Sequence, residues 1–161
     1  MAGFENTDIK IVWLADYPEF ITSVSEWLHT EFGRYHQNST IEKRTKRLKK
    51  SCNKTKIPIT LLVLHKGMPI GTASLIENDM ESHPNYSPWL ASVYTLSEYR
   101  NNGVAKSLIK HIITLAARLN YEQIYLFTDK YANYYGNFGW LPISNEMYHG
   151  ESVTLMRLLI R

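Results

Sequence analysis

Between Trp89 and Thr128 the apolar residues change their spacing twice, and that change restricts the fold more than any other stretch of the chain. Trp89 to Leu96 reads as a strand. From Gly103 the period lengthens, with Val104, Leu108, Ile112, Leu115 and Leu119 on one face of a long amphipathic helix, and Ile124 to Thr128 returns to strand. Residues 89 to 128 are therefore one strand-helix-strand unit, which argues an α/β or α+β sheet. The flanking segments agree. Ile9 to Leu14 reads as a first strand, followed by a helical stripe of Phe20, Val24, Trp27 and Leu28. Ser39 and Glu42 have capping-box spacing and open a second helix. Ile41, Thr45, Leu48 and Cys52 form its buried face, with Lys43, Arg44, Arg47 and Lys50 opposite as a solvated one. Pro58 suits the start of a strand. Residues 59 to 65 and 68 to 77 then form strand-like runs around Lys66-Gly67, and Asn78 to Pro88 is a polar loop. Ala132 to Phe138 is a short helix or turn, and Val153 to Leu159 a closing strand.

At 161 residues, cofactor, substrate and chemistry share one core, a single domain over 1–161. Apolar runs stop well short of the ~20 residues a membrane helix needs. Met1 to Glu5 lacks a basic, then apolar, leader, so the expectation is a cytoplasmic protein. Cys52 is the only cysteine, which forbids an internal disulfide and a cysteine-based metal site, and no metal is expected. Lys49, Lys50 and Lys54 would favour its thiolate, but its place in an apolar helical spacing favours a packing role. Charge is unevenly placed: residues 37 to 56 hold eight Lys or Arg against Glu42 alone, so in a chain of net +3 the remaining 141 residues sum to −4. That basic segment would attract phosphates, yet it lacks interleaved aromatics, so nucleic acid is disfavoured as a partner.

The most informative turn is Val93-Tyr94-Thr95-Leu96-Ser97-Glu98-Tyr99-Arg100-Asn101-Asn102-Gly103-Val104-Ala105-Lys106. A strand feeds a polar turn that opens the long helix, whose first four N–H groups have no internal partner and suit a diphosphate. Gly103 lets backbone approach phosphate closely, Ala105 keeps the next turn uncrowded, and Arg100 and Lys106 add charge. An ordinary strand-to-helix turn often carries the same residue types. One Gly is too few for the dinucleotide fingerprint, and no Gly-Lys-Ser or Gly-Lys-Thr completes a Walker pattern.

Arg100-Asn101-Asn102-Gly103-Val104-Ala105 resembles the acetyl-CoA motif of the GNAT-type N-acetyltransferase family: Arg or Gln, two residues, Gly, one residue, Gly or Ala. Tyr134-Tyr135-Gly136-Asn137-Phe138-Gly139-Trp140 resembles a second family feature, and the strand order follows the family over nearly the whole chain. Ser97 stands where members commonly have Pro, which alters turn stiffness more than binding chemistry. The resemblance implies a mixed, centrally splayed β-sheet flanked by helices, with acetyl-CoA in the opening as cosubstrate. It maps Val93-Tyr94-Thr95 onto the pantetheine arm, with backbone contacts at Val93 and Thr95, and Arg100 through Ala105, followed by Lys106, onto the diphosphate. It also implies direct transfer of an acetyl group to a small amine or peptide acceptor.

Such transfer needs a neutral amine, an acceptor for its proton and an acid for the departing thiolate. Tyr135 matches the family's catalytic Tyr and is the expected acid; Tyr94 is a second candidate, and packing among Tyr131, Tyr134 and Phe138 is the alternative for Tyr135. Glu77 and Asp79, with Glu81 beyond them, are candidate bases that would also attract a cationic acceptor, or else form a solvated acidic loop. Glu98 is a poorer choice beside a diphosphate, and His83 a base or a loop-packing residue. Trp27, Phe32, Tyr35, His36 and Trp89 are candidates for an acceptor wall. The principal alternative is a non-catalytic acyl-CoA-binding regulatory module. A homodimer is left open, since Leu158 to Ile160 can pair across two copies or close the monomer's own sheet.

Overall fold

A computed structural model describes residues 8–160; the stretch read above for a leader, Met1 to Glu5, lies outside them. In chain order the elements are β1 (Ile9–Trp13), α1 (Ile21–Phe32), α2 (Ile41–Lys50), β2 (Ile59–His65), β3 (Met68–Ile76), β4 (Trp89–Thr95), α3 (Val104–Arg118), β5 (Gln123–Thr128), α4 (Ala132–Gly136), β6 (Leu141–Tyr148) and β7 (Glu151–Leu159). The described strands form one mixed sheet in the order β1-β2-β3-β4-β5-β7-β6, antiparallel throughout except where α3 carries the chain from β4 to a parallel β5. The α/β sheet flanked by helices is thus present, with every strand the spacing predicts and one more.

Alternation along β2 explains the layering. Leu61 and Val63 face the cluster that includes Leu108, Ile112 and Leu115 of α3, while Leu62 and Leu64 face Val24 and Leu28 of α1 and Leu48 of α2. A strand covered on both faces reads as a continuous apolar run, as Leu61-Leu62-Val63-Leu64 does. Lys66 and Gly67 both have positive φ (50° and 79°), the conformation a two-residue hairpin of this hand requires.

Gly71 fixes where α3 begins. A Cβ built there would lie 2.9 Å from Cγ1 of Val104 and 3.2 Å from the Tyr94 carbonyl oxygen, so the absent side chain lets the first residue of α3 seat on β3 beside β4. Gly71→Ala is expected to cost ~1–3 kcal/mol through overpacking, seen as a fall of roughly 2–4 °C in melting temperature for each kcal/mol.

Three sequence expectations need correction. Thr40, not Ser39, caps α2: its Oγ1 accepts from the Lys43 N–H at 3.1 Å, while the Ser39 hydroxyl meets His29 Nδ1 at 3.1 Å. The buried face of α2 is also rotated. Arg44, Leu48 and Ser51 are buried and Ile41 is exposed, because the Ser51 hydroxyl joins the Thr60 and Ser74 hydroxyls in a buried chain of 2.7 Å bonds that ties the end of α2 to β2 and β3. Arg44 therefore does not belong to a solvated face. The third is β6, unforeseen because Pro142 and a polar run hide it; it is an edge strand, where Pro is tolerated. β7 is paired on both sides, by β5 and β6, so Leu158 closes the monomer's own sheet. Cys52 packs partly buried with its Sγ 3.5 Å from the Leu48 carbonyl, and burial pushes its thiol up, away from the reactive form. No helix among the described residues is long and apolar enough to cross a membrane.

Candidate active site

The sheet opens at β4. This strand is paired with β3 along its length, but it meets β5 through a single register pair, Trp89 with Tyr125. Beyond Trp89 the two parallel strands diverge, and the β5-facing edge of β4 is left without strand partners. The break coincides with a bulge: Thr72 lies opposite Tyr94 and Ser74 opposite Ala91, one residue more on β4 than on β3, with Ser92 in the left-handed region at φ 57°. As a result Val93 packs toward the α3 side of the sheet and Tyr94 toward the α1 and α2 side, against Trp27 with ring centroids 5.8 Å apart. A cleft of about 590 Å³ fills the opening.

One end of the cleft is the start of α3. The N-terminal N–H groups of this helix have no intrahelical partner, and the capping position is Gly103, which has no side chain to supply an acceptor. Gly103 has φ 78° with open space where a Cβ would be, and Asn101 is left-handed at φ 64°. Arg100 is pinned to this turn by its Nε, which donates to the Thr95 carbonyl at 3.0 Å, and its guanidinium lies 5.6 Å from the Tyr94 ring centre. Val93, Tyr94, Thr95, Arg100, Asn101, Gly103, Val104, Ala105 and Lys106 all line the cleft. Asn102 does not; its side chain folds back to donate to the Tyr99 and Arg100 carbonyls. The Thr95 hydroxyl is buried with no partner among the described residues.

Tyr135, on α4, lines the cleft. Its carbonyl accepts from the Phe138 and Trp140 N–H groups at 2.9 and 3.3 Å, and its ring is clamped edge-on between Tyr134 and the buried Trp140, centroids 5.4 and 5.9 Å away. Burial, with the neighbouring Tyr134 and Tyr131 phenols, raises its pKa well above the usual phenol range. It therefore keeps its proton at any physiological pH.

The far end is built by the α1–α2 connection and the loop after β3. Phe32, Tyr35, His36, Arg44 and Asp79 line it, as do Arg34 and Asp129, which form an ion pair at 2.9 Å. Burial raises the Asp79 carboxyl to about 7 even though Arg44 and Arg47 oppose the shift. Burial, reinforced by Arg47, Arg44 and His149, lowers His36 to about 4, so it is neutral and can accept from Arg47 Nη1 at 3.1 Å. Burial also lowers Arg44 to about 10, which still leaves it charged at neutral pH.

Several candidates lie elsewhere. Glu77 is exposed and outside the cleft lining. His83 holds its loop by a 2.7 Å bond to Glu146 and a stack on Tyr86. Trp27 lies behind Tyr94, and Trp89 is fully buried, its Nε1 donating to the Tyr86 carbonyl; neither lines the cleft. Arg34, Arg44 and Asp129 were not singled out by sequence reasoning as site residues. Arg44 was detectable, since it falls i, i+4 from Leu48 on the stripe that Ser51 continues. Among the described residues no cluster of three or more His, Cys, Asp or Glu is placed to hold a metal ion.

Residues 21–140 match the model of the acetyltransferase (GNAT) family. No curated protein matches the chain in sequence. Among solved structures, the acetyltransferase of GNAT family from Streptococcus pneumoniae is 18% identical with a TM-score of 0.70, over 95% of this chain and 99% of that one. An aminoglycoside 6'-N-acetyltransferase complexed with coenzyme A is 14% identical, TM-score 0.71, over 94% and 97%. The structure of yncA from Salmonella typhimurium with its cofactor acetyl-CoA is 13% identical, TM-score 0.72, over 96% and 95%. At these identities the likeness is one of fold.

Proposed function

Because this chain belongs to the GNAT acetyltransferase family, we propose that it is an N-acetyltransferase that moves an acetyl group from acetyl-CoA directly to the primary amine of a small molecule or peptide. The observation that carries this is the edge of β4 left without strand partners, leading straight to the uncapped N-terminus of α3. The residues present fit such a cosubstrate. An amide-bearing arm can hydrogen-bond to the Val93–Thr95 edge as a strand would, and the Thr95 hydroxyl, buried without a partner, has an unmet hydrogen bond there. A diphosphate suits the donors at Gly103 to Lys106 together with the Nη groups of Arg100.

Acetyl-CoA brings an activated acetyl thioester; the chain supplies position and protons. Asp79, protonated below and ionised above about pH 7, is poised to take the acceptor's proton directly or through water. Tyr135 holds its phenolic proton for the departing sulfur, and both line one cleft. In balance, the amine nitrogen bonds to the acetyl carbon, the carbon–sulfur bond breaks, one proton passes to Asp79 and another leaves Tyr135 for sulfur, and the proton on Asp79 returns through water to the Tyr135 oxygen, so that both groups end as they began.

The test is calorimetry with CoA and acetyl-CoA, together with thiol release across an amine panel. Saturable binding with amine-dependent thiol is expected. Binding without turnover would make the protein an acyl-CoA-binding module, and no binding would remove the assignment. Gly103→Val is expected to raise the KM for acetyl-CoA more than tenfold with a smaller change in kcat. It forces a β-branched residue into a left-handed position at ~1–2 kcal/mol and places bulk where the diphosphate approaches.

A further inference from the structure

The guanidiniums at this end of the cleft are not partnered alike. Arg34 is matched by Asp129 at 2.9 Å and Glu151 at 3.8 Å. Arg44 and Arg47 share the neighbourhood of Asp79, which feels both guanidinium charges, yet among the described residues no ion pair joins it to either. Arg47 is exposed to solvent and meets His36 Nδ1 at 3.1 Å, whereas Arg44 is buried.

Arg44 is the group that is costly to leave unmet. Arg44 is only 6% exposed, it lines the cleft, and its Nε and Nη2 are buried with no hydrogen-bond acceptor among the described residues. These nitrogens form the side of a guanidinium whose two N–H bonds point the same way and take both oxygens of one carboxylate. The fold does not place the group there by accident of a loose loop. α2 is capped by Thr40 and anchored at its end by the Ser51–Thr60–Ser74 hydroxyl chain, so Arg44 is held toward the cleft by a helix fixed at both ends. A buried, unpaired cation costs stability unless something supplies its partner.

We infer that Arg44 is a seat for a carboxylate carried by the acceptor, so that the substrates are amines bearing a carboxylate, amino acids or molecules like them, and not polycations. This deepens the acetyl-transfer assignment and rests on it. The acceptor's carboxylate, once the guanidinium turns Nε and Nη2 toward the cleft, gives both nitrogens an acceptor. The acidic loop after β3 pointed the sequence reading toward a cationic acceptor. In the structure Glu77 is outside the cleft and Glu81 is exposed, its carboxylate 3.5 Å from His149.

Thiol release by the full chain with acetyl-CoA, comparing amino acids with their amides, spermidine, an aminoglycoside and phosphoethanolamine, tests the seat. The amino acids are expected to exceed their amides by about 100-fold in kcat/KM, the scale of losing one partner of a buried charge pair. Arg44→Met should collapse that ratio below tenfold, with Arg44→Lys between. Arg44→Met should also melt at the same temperature or higher, since it removes an unpaired buried charge. Equal use of amides, preference for a polycation or for the phosphate-bearing amine, or an unchanged ratio in Arg44→Met would overturn the inference. Titration of N-acetyl amino acids into the CoA-loaded protein separates the two levels. Binding that is lost in Arg44→Met, without turnover of any amine, keeps the seat and removes the transferase; turnover without carboxylate preference does the reverse.

Discussion

With Tyr135 replaced by Phe, turnover is expected to fall about 10²- to 10³-fold, the usual scale for loss of a general acid, while the KM for acetyl-CoA is expected to change little. The ring is held by Tyr134, Trp140 and two backbone hydrogen bonds to its own carbonyl, none of which needs the hydroxyl. Phe therefore keeps the packing and removes only the proton. Folding unchanged by circular dichroism, with kcat reduced, assigns the loss to the phenol. Since burial keeps the wild-type phenol protonated beyond the usual range, no alkaline limb from Tyr135 is expected below about pH 10. Tyr94→Phe is the control, because Tyr94 lines the same cleft. If it carries the loss and Tyr135→Phe does not, the acid is Tyr94.

Asp79→Asn is expected to lower kcat/KM by about 10²- to 10⁴-fold and to erase an acid limb. In the wild type only the carboxylate accepts a proton, so the rate should climb as pH rises through about 7. The acceptor must be a weakly basic amine, neutral well below that pH, so that its own deprotonation does not supply the limb. Stability moves the opposite way. The folded pKa lies above the ordinary 3.8, so the unfolded chain loses this proton first, and the fold is progressively destabilised as pH rises from about 4 to about 7, then levels off. Asn has no proton to lose, so denaturant unfolding of Asp79→Asn should show a flatter pH profile and greater stability than wild type above pH 7. A wild-type acid limb that persists in Asp79→Asn would assign the base elsewhere.

The end of the cleft proposed for the cofactor could be located from the sequence and the end proposed for the acceptor could not, for a physical reason. The phosphate and amide recognition proposed there would use backbone groups, and a strand, a glycine and a helix start are written locally between Val93 and Lys106. The end proposed for the acceptor is lined by Arg44, Asp79, Arg34 and Asp129, which come from distant stretches of chain and meet only in the folded sheet. Hydrophobic spacing also misplaced the face of α2. Ile41, Thr45 and Leu48 fit a helical stripe, but the buried Ser51–Thr60–Ser74 hydroxyl chain turns the helix so that Arg44 and Ser51 go inward with Leu48. A polar anchor of this kind leaves no apolar trace to read. Strand β6 was hidden because an edge strand need not alternate.

The lone pairing of Trp89 with Tyr125 has a mechanical meaning. Every other pair of neighbouring strands is laced by several register pairs, whereas β1–β4 and the β5–β7–β6 trio share this one rung. Tyr86 lies flat on Tyr125 at 4.4 Å and takes the indole hydrogen of Trp89 on its carbonyl, so three aromatic rings brace the joint. The two half-sheets resemble the covers of a book bound at one end of its spine. From that joint the covers lean apart, and the cleft lies between them.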